Sequence, residues 1–537
     1  MFDSISCKNY KAFESFSLEL KPLTILLGAN SFGKSSILNL ILMLTQTINS
    51  NELSDSPIRI NGSHVGFGEA ENVIRNMDDE NVLSISIKSK NENEKLISNI
   101  VDNSFDEFRY VLHRYVFDNE NIDRLSSEFV FDDAESLGFD KLSNYVLKKL
   151  KMLRSDLDDR LKDRVKNNPS NVNDYILNSK FSKTADFFGA MKLLYGNLFD
   201  VTELEYEFKL NSKTNKLNLQ SFSLICDYGL FFKIYNENGS YKLNSDILDV
   251  KALSNSRKDI VEELDLNSLT FGVVAKYSYF RGGILCVNPF SKFISTIVKV
   301  CTNDFLKVFY GDKISHVSPL RAFPQRYYLL DKTILRTQIN TSDGNELAEV
   351  LKKRSDILKK INTLFAKFEL LIKVVNVNNI IHRIIVVQNN VDLEITDVGF
   401  GISQVLPILV QAYLSPRGAL VIIEQPEIHL HPNMQAWLID ALINISLTEG
   451  KYFLIETHSE PVIRRIRRRI AEIEHPLNHD NVIIYNVQRN ELSDSSELKC
   501  LDINEHGDVK WPKGFLDTEM DDMLSIQQSK MNKMRGR

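Results

Sequence analysis

The N-terminal part of the chain alternates apolar and polar positions in patterns typical of strands. Residues 4–16 predict a strand, a turn and a second strand, and residues 23–27 form a short apolar run suited to a buried strand. The apolar positions between residues 35 and 47 then predict a helix. Residues 80–90 alternate again and predict a further strand. This part is therefore expected to be rich in strands, with one helix directly after a buried strand.

The middle of the chain has a different character. Residues 104–200 are rich in Asp, Lys, Asn, Leu and Phe, and apolar residues recur every three or four positions from Val146 to Val165. That spacing predicts an amphipathic helix, and a seam of about three heptads suits a short helical pair rather than a long rod. Residues 202–245 alternate, with a hairpin turn predicted at Glu237-Asn238-Gly239, and residues 250–312 have a mostly helical pattern.

The C-terminal part mixes helical and strand patterns. Residues 346–372 have the apolar spacing of a long helix, and residues 380–387 and 391–395 predict strands. Residues 418–423 and 451–455 are near-continuous apolar runs. Such runs are typical of parallel strands covered on both faces, so we expect an α/β architecture.

Composition narrows the class of protein. Of 537 residues, 43% are hydrophobic and 25% charged, which is ordinary for a globular chain long enough for more than one domain. The net charge of -6 gives no global attraction to nucleic acid, so any such contact must be local. Five dispersed cysteines without a CxxC pair argue against a disulfide framework or a cysteine zinc site and fit a reducing compartment, which predicts a cytoplasmic location. The sequence shows neither a signal-peptide pattern nor an apolar run of about 18 residues, and it predicts no membrane contact.

A glycine-bearing loop follows the first buried run. Residues 28–35 match the pattern GxxxxGK[ST] in full, between a predicted strand and a predicted helix. The glycines allow backbone N–H groups to form an anion nest, and the helix adds its positive N-terminal end. We expect Lys34 to reach the β- and γ-phosphates of ATP and the Ser35 hydroxyl to bind Mg²⁺; the alternative is a chance glycine turn before a helix. Further contacts are expected from Asn30, Gly33 and Ser36.

A phosphate loop needs a second strand that ends in a carboxylate near the metal. The apolar run 420–423 leads to Glu424, which is expected to hold Mg²⁺. The run 451–455 leads to Glu456-Thr457-His458, where His458 is expected to sense the γ-phosphate. The alternatives are an ordinary buried strand that ends in solvated charges and a histidine that caps the next helix.

Residues 397–404, Asp-Val-Gly-Phe-Gly-Ile-Ser-Gln, precede a predicted helix just upstream of the carboxylate strand. In position this segment resembles the signature segment of ABC-type ATPases, which meets the γ-phosphate held by a second subunit. The resemblance implies nucleotide contacts from Gly401, Ser403 and Gln404. A plain turn and helix cap is the alternative interpretation.

Together these segments resemble the ABC-type AAA ATPases that include RecF-like and OLD-like proteins. The resemblance covers roughly residues 1–90 and 318–520 and leaves out the middle of the chain. Within that class the chain is most similar to the PtuA-type ATPases of Septu and retron-associated anti-phage systems. The segments that carry the resemblance are NYKAFESFSLEL, PLTILLGANSFGKSS, SPLRAFPQRYY at 318–328, DVGFGISQVLPILVQ at 397–411, EQPEIHLHP at 424–432, ETHSE at 456–460 and a tail, GDVKWPKGF, at 507–515.

The resemblance implies a fold, a reaction and partners. The fold is an ABC-type P-loop nucleotide-binding domain split by a mainly helical insertion, with an N-terminal half at 1–100, the insertion with a β-hairpin region at 101–312 and a C-terminal half at 313–537. The implied assembly is a homodimer or higher homo-oligomer that sandwiches ATP. The implied role is a defence ATPase that regulates an HNH nuclease of the PtuB type, with a reverse transcriptase and its DNA or RNA product as further partners.

Two departures from the family pattern change the expected chemistry. OLD nucleases carry a C-terminal metal-binding Toprim domain, but fewer than about 80 residues follow His458, so we expect no nuclease centre in this chain. Gln425 stands where ABC-type ATPases place the glutamate that activates water. An amide cannot accept that proton, and Glu427 is the alternative base. The hypothesis is slow hydrolysis, with ATP acting mainly as a clamp.

Three weaker sequence features each have a functional and a purely structural interpretation. The run Arg464–Arg469 contains five arginines that suit either phosphate contacts or a solvated, acid-paired helix. Arg321 and Arg326 suit either phosphate contact or salt bridges. His429 and His431 alternate in an extended segment, which favours a loop role over a metal site.

Two alternative functions for the whole chain stay open. They are a RecF- or SMC-like DNA-repair ATPase without a toxin partner, and a stand-alone nuclease.

Overall fold

The computed structural model describes residues 2–50, 55–89, 96–112, 180–272, 287–329, 336–490, 494–511 and 525–531, apart from positions 196, 198, 342, 343 and 379, together with isolated helical positions between 143 and 151. The predicted helical seam from Val146 to Val165 lies outside these residues. The described chain forms two compact units: Met1–Glu19 with Ser35–Ile314, and Leu20–Lys34 with Ser315–Arg537. The division into parts at 1–100, 101–312 and 313–537 stays a prediction.

The strands follow the alternating and apolar runs of the sequence. In chain order they are β1 (Ser4–Tyr10), β2 (Phe13–Glu19), β3 (Leu23–Gly28), β4 (Val82–Lys88), β5 (Val201–Asn211), β6 (Lys216–Cys226), β7 (Gly229–Glu237), β8 (Ser240–Asn244), β9 (Ile314–Val317), β10 (Tyr328–Leu329), β11 (Leu370–Asn376), β12 (Ile381–Gln388), β13 (Val391–Glu394), β14 (Leu420–Glu424), β15 (Tyr452–Glu456), β16 (Val482–Asn490) and β17 (Ser495–Leu501).

The helices lie between these strands. The main ones are α1 (Lys34–Ile48), α2 (Leu96–Leu112), α3 (Phe181–Leu194), α4 (Val250–Asn255), α5 (Arg257–Glu263), α6 (Pro289–Leu306), α7 (Leu347–Lys353), α8 (Ser355–Phe365), α9 (Phe400–Leu414), α10 (Pro432–Glu449) and α11 (Glu460–Ala471). No helix within the described ranges is both long and apolar enough to cross a membrane.

The first unit is built on an antiparallel sheet. Its strands run in the order β8-β7-β6-β5-β4-β1-β2. Alternation buries one face of β5, where Tyr206 and Phe208 join Phe222 and Phe271 in an aromatic cluster. The predicted hairpin turn between β7 and β8 is confirmed. Asn238 and Gly239 both have positive φ (53° and 81°), as a two-residue turn of this hand requires.

The second unit is built on a mainly parallel sheet. Its strands run in the order β17-β16-β3-β15-β14-β9, and β3 pairs in parallel with both β15 and β16. β14 pairs in parallel with β15. The apolar runs of β3, β14 and β15 are buried almost throughout, as expected for strands covered on both faces. A smaller antiparallel sheet holds β10, β11, β12 and β13.

The long helix predicted over residues 346–372 is wrong at its C-terminal end. α7 and α8 meet at Arg354, and a short 3₁₀ turn over Ala366–Phe368 follows α8. Glu369 then takes a left-handed conformation with φ of 56°, which ends the helix, and β11 begins at Leu370. The apolar residues after Phe365 therefore alternate as a strand rather than continue a helical stripe.

The C-terminal end of α9 is capped by a lysine side chain from outside the helix. Lys451 donates from Nζ to the carbonyl oxygens of Ala412 and Tyr413, at 2.7 and 2.9 Å, in the last turn of α9. A cation at the negative end of a helix satisfies carbonyls that have no partner within the helix. This contact fixes the end of the largely buried helix α9 beside the strands of the parallel sheet.

Candidate functional site

The phosphate loop lies between β3 and α1, in the strand–loop–helix context that the sequence predicted. Gly28, Ser31 and Gly33 all have positive φ, at 139°, 66° and 103°. At Gly28 a side chain is also sterically excluded, because an added Cβ would lie 2.3 Å from the carbonyl oxygen of Val487 on β16. The neighbouring strand thus dictates a glycine at the first position of the loop.

Lys34 is folded onto its own loop. Its side chain is only 4% exposed, and Nζ donates to the carbonyl oxygens of Gly28 at 3.0 Å and Ala29 at 2.9 Å. Nζ also lies 3.7 Å from Oε1 of Glu456. Burial lowers the pKa of Lys34, and the charge of Glu456 opposes that shift. The ammonium group is thus held among acceptors at the end of β3.

The other predicted residues of the loop differ in exposure. Asn30 and Ser35 are exposed, whereas Gly33 and Ser36 are partly buried. The roles assigned to these four residues from the sequence stay predictions.

Two carboxylates stand side by side at the ends of neighbouring strands. Parallel pairing places Glu424 of β14 opposite Glu456 of β15. Oε1 of Glu424 lies 2.6 Å from Nε2 of His316 on β9. Burial raises the pKa of Glu456 to about 7, and the charge of Glu424 acts in the same direction. The pair therefore concentrates negative charge beside Lys34.

Glu456 and His316 are site residues that the sequence-based prediction missed. A signal for Glu456 was present, because it ends an apolar run just as Glu424 does, and the ends of parallel strands meet at one edge of a sheet. His316 carries no local pattern. Its contact depends on β9 lying next to β14.

The loop after β14 places Gln425 and Glu427, the two residues considered for activating water, in different surroundings. Gln425 has φ of 44°, and its N–H donates to the carbonyl oxygen of Glu456 at 2.8 Å. Oε1 of Glu427 accepts a hydrogen bond from the backbone N–H of His458 at 2.7 Å, while its Oε2 is buried with no protein donor in the described part of the chain. Burial lowers the pKa of His458, and the charge of Lys34 adds to the shift. Glu427 thus ties the loop after β14 to the loop after β15.

The proposed signature residues are mostly interior. α9 begins after Gly399, which has no side-chain cap, and Gly401 is partly buried. Ser403 and Gln404 are 4% and 2% exposed. An added Cβ at Gly401 would contact Leu430 at 3.4 Å, so the first turn of α9 packs closely on the loop after β14. Among the described positions around the start of α9, Gly399 is exposed and Gly401 is partly buried.

Several candidates have structural roles in the described residues. Ser459, rather than His458, caps α11, and His431 caps α10. Each of the five arginines of α11 has an acidic partner, and Arg465 and Arg469 share Asp440 at 2.6 and 2.7 Å. The acid-paired interpretation of this run is confirmed. Arg326 lies 3.6 Å from Asp397, and Arg321 binds backbone carbonyls rather than an acid.

The residues fit Mg²⁺ bound together with a nucleotide better than a metal held by protein alone. Within the described ranges, no group of three or more His, Cys, Asp or Glu side chains is arranged to hold a metal ion. Mg²⁺ usually takes one or two protein oxygens together with phosphate oxygens and water. Glu424 supplies such an oxygen, and the buried Oε2 atoms of Glu427 and Glu456 have no donor among the residues that the structure describes. These oxygens are therefore compatible with Mg²⁺ bound together with phosphate.

Comparison with known proteins agrees with this chemistry. Residues 311–463, which include Glu424 and His458, match the family model of an AAA ATPase domain. This part of the chain is therefore similar to an AAA ATPase domain, and the mixed α/β architecture is a P-loop NTPase fold. Among curated proteins, none matches the chain significantly in sequence.

Solved head domains of SMC proteins are similar over most of the chain. One is the SmcHead bound to the C-winged helix domain of ScpA, with 10% identity, 93% of this chain and 97% of that chain covered, and a TM-score of 0.36. Another is the SMC head domain from Thermotoga maritima (9% identity, 94% and 99% covered, TM-score 0.33). A further one, from Pyrococcus furiosus, has an extended coiled coil and is bound to the C-terminal domain of ScpA (11% identity, 98% and 99% covered, TM-score 0.33). TM-scores in this range support no argument about fold or function.

Gly28→Ala tests the steric constraint on the phosphate loop. The added Cβ meets the carbonyl of Val487 in a left-handed backbone, so we expect a loss of about 2–4 kcal/mol of unfolding free energy. The matched control is Gly418→Ala, where φ is 76° but nothing lies within 4 Å of the added Cβ, and a loss of about 1 kcal/mol is expected. Urea unfolding measures both, and equal losses would contradict the steric argument.

Proposed function

We propose that the chain binds ATP with Mg²⁺ at the carboxyl ends of β3, β14 and β15 and acts as a nucleotide-dependent clamp. The observation that carries the proposal is the meeting of Lys34 with Glu456, next to Glu424, at the ends of adjacent parallel strands. Open α/β sheets bind ligands at this edge. A buried ammonium beside buried carboxylates suits a ligand that carries both phosphate and a divalent cation.

The phosphate loop supports the anion part of this proposal. Its backbone is forced into positive φ at Gly28 and Gly33, which is the geometry that turns N–H groups toward an anion. α1 begins directly at Lys34 and adds its positive end. Lys34 now donates to two neutral carbonyls. Phosphate oxygens are stronger acceptors and would draw the ammonium away from them.

The carboxylates support the metal part. Glu424 is oriented by His316, and the proposed second protein ligand is Ser35, the residue after Lys34. When bound, Mg²⁺ would neutralise phosphate charge and polarise the terminal phosphate. Lys34 and Glu424 would orient the phosphates, and His458 would detect the terminal phosphate from the end of β15.

Slow turnover is part of the proposal. Gln425 cannot take a proton from water, and Glu427 is already bonded to the backbone of His458. Only the buried Oε2 of Glu427, which has no protein donor in the described part of the chain, is left to accept a proton, so we expect hydrolysis to be slow. Bound ATP would persist and would hold two subunits together, each phosphate loop facing the start of α9 in its partner. The exposed Gly399 and the uncapped first turn of α9 support this assignment more than the interior Ser403 and Gln404 do.

For the biological role we propose the defence function implied by the PtuA-type resemblance. In it the ATPase homo-oligomer restrains an HNH nuclease in the cytoplasm until invasion changes its nucleotide or nucleic-acid state. A reverse transcriptase and its DNA or RNA product are further proposed partners. The segments 318–328, 397–411, 424–432 and 456–460 support the proposal. The second candidate is a RecF- or SMC-like DNA-repair ATPase, which the same nucleotide site would also serve.

Lys34→Ala tests the nucleotide site. Removing a charge-assisted phosphate contact should weaken ATP binding about 10- to 100-fold. Titration of a fluorescent ATP analogue into the full chain measures the affinity, and a thermal melt verifies that the variant is folded. The matched control is Lys352→Ala on the exposed side of α7, which should bind like the wild type. Undiminished binding by Lys34→Ala would exclude this site.

Gln425→Glu tests the clamp. A carboxylate at this position supplies a proton acceptor, so steady-state phosphate release should rise by on the order of 10²-fold. Glu427→Gln and Gln425→Ala are measured alongside, to show which of the two residues the wild-type rate depends on. A wild-type rate that is already fast, survives Glu427→Gln and vanishes in Gln425→Ala would contradict slow hydrolysis.

The purified chain tests the assignment of nuclease activity to a partner. Incubated alone with DNA or RNA, Mg²⁺ and ATP, it should leave the nucleic acid intact. A neighbouring gene that encodes an HNH protein would favour defence. Co-purification with that protein, followed by phage challenge with and without Lys34→Ala, would then distinguish defence from repair. Cleavage by this chain alone would contradict the partner-nuclease proposal.

A further inference from the structure

Arg321 occupies an unexpected place in the segment between β9 and β10. Its side chain is only 6% exposed, whereas Leu320 is 81% and Phe323 is 75% exposed. This inverts the usual preference, because arginine is among the residues least often buried and leucine and phenylalanine are among the most. At Leu320–Phe323 the chain thus turns an arginine inward and two apolar residues outward, so the buried guanidinium needs a specific partner.

That partner is the backbone at the end of β14. Nη2 of Arg321 donates to the carbonyl oxygen of Glu424 at 2.9 Å and to that of Gln425 at 3.1 Å. Both contacts are to main-chain atoms, so they are independent of which side chains stand at these two positions. They fall on the two residues at which the buried strand gives way to the loop.

The arginine has no ion-pair partner in the described part of the chain. Its Nε and Nη1 are buried without an acceptor among the described residues. Burial lowers the pKa of the guanidinium to about 10, while the charge of Glu427 opposes the shift. Burying an arginine in this way is unfavourable for stability. We therefore look for the role of Arg321 in the backbone groups that it holds in place, rather than in a gain in stability.

The peptide groups that Arg321 holds are constrained from both sides. Gln425 is left-handed, with φ of 44°, a conformation that costs energy for a residue with a side chain. Its N–H is bonded to the carbonyl of Glu456, and its C=O is bonded to Arg321. The two hydrogen bonds together fix the direction in which the Glu424 and Gln425 side chains leave the backbone.

We propose that Arg321 is a positioning residue of the nucleotide site, which clamps the Glu424–Gln425 backbone so that the carboxylate and the amide keep their places around the terminal phosphate. The assignment rests on the proposed function of that site. Arg321 touches no substrate in this role. It acts through the strand end, by holding the carbonyl groups of Glu424 and Gln425.

Hydrogen exchange of the nucleotide-free full chain tests the clamp directly. In Arg321→Met, amides of the segment from Glu424 to Glu427 should exchange at least tenfold faster, because one of the two bonds holding Gln425 is gone. The matched control is Arg326→Met, an exposed arginine of the same segment that should leave these amides unchanged. This measurement needs no ATP, so it stands even if the nucleotide proposal fails.

Nucleotide measurements test the positioning role. Arg321→Met should bind ATP within threefold of the wild type, since Lys34 and the loop are intact, but release phosphate at least tenfold more slowly. Arg321→Lys keeps the charge and one reaching donor, and it should recover part of the rate. If Arg321→Met does not fold, the amide exchange pattern and the phosphate-release rate of Arg321→Lys test the positioning role instead.

Two results would overturn the proposal. One is unchanged exchange and turnover in both Arg321 variants. The other is loss of ATP affinity in step with turnover, together with faster exchange across the whole second unit, which would show a merely structural arginine. If the wild type binds no ATP, the nucleotide proposal fails, and the exchange data alone then decide whether Arg321 clamps the strand end.

Discussion

The attraction between one buried lysine and two strand-end carboxylates governs the chemistry of this molecule. Lys34, Glu424 and Glu456 are each largely excluded from water, where charges are costly unless they are paired. The cluster carries more potential negative than positive charge. Burial and repulsion from Glu424 raise the pKa of Glu456 to about 7, which reduces the negative charge of the cluster near neutral pH. A ligand with its own cation and anion would relieve both effects at once, so the protein site is complementary to metal and phosphate together.

The backbone around this cluster is arranged by neighbours rather than by local preference. The carbonyl of Val487 excludes a side chain at Gly28, and the carbonyl of Glu456 holds the N–H of the left-handed Gln425. Each of these contacts crosses from one strand or strand end to the next in the sheet. The positions of the loops are therefore as rigid as the pairing of β3, β14, β15 and β16.

Local sequence patterns predicted the elements better than the contacts between them. The apolar runs of β3, β14 and β15, the hairpin turn at Asn238-Gly239 and the helix after the phosphate loop were all readable, because each depends on neighbours in sequence. The end of α8 could not be predicted in this way. The apolar pattern there suits a helix or a strand equally, and the left-handed Glu369 is what ends the helix. His316 and the inward turn of Arg321 depend on which strand lies beside which, and no local spacing encodes that. The interior position of Ser403 likewise follows from the packing of α9.

The placement of β3 between β15 and β16 has a consequence for biosynthesis. About four hundred residues separate β3 from these partners, so an emerging polypeptide presents both hydrogen-bonding edges of β3 long before the ribosome has made what covers them. At about 5–20 residues per second this interval lasts roughly 20–80 seconds. During that time an apolar segment with two open edges is vulnerable to mispairing. This topology therefore favours protection of β3 on the nascent chain, and slower translation would lengthen the exposure.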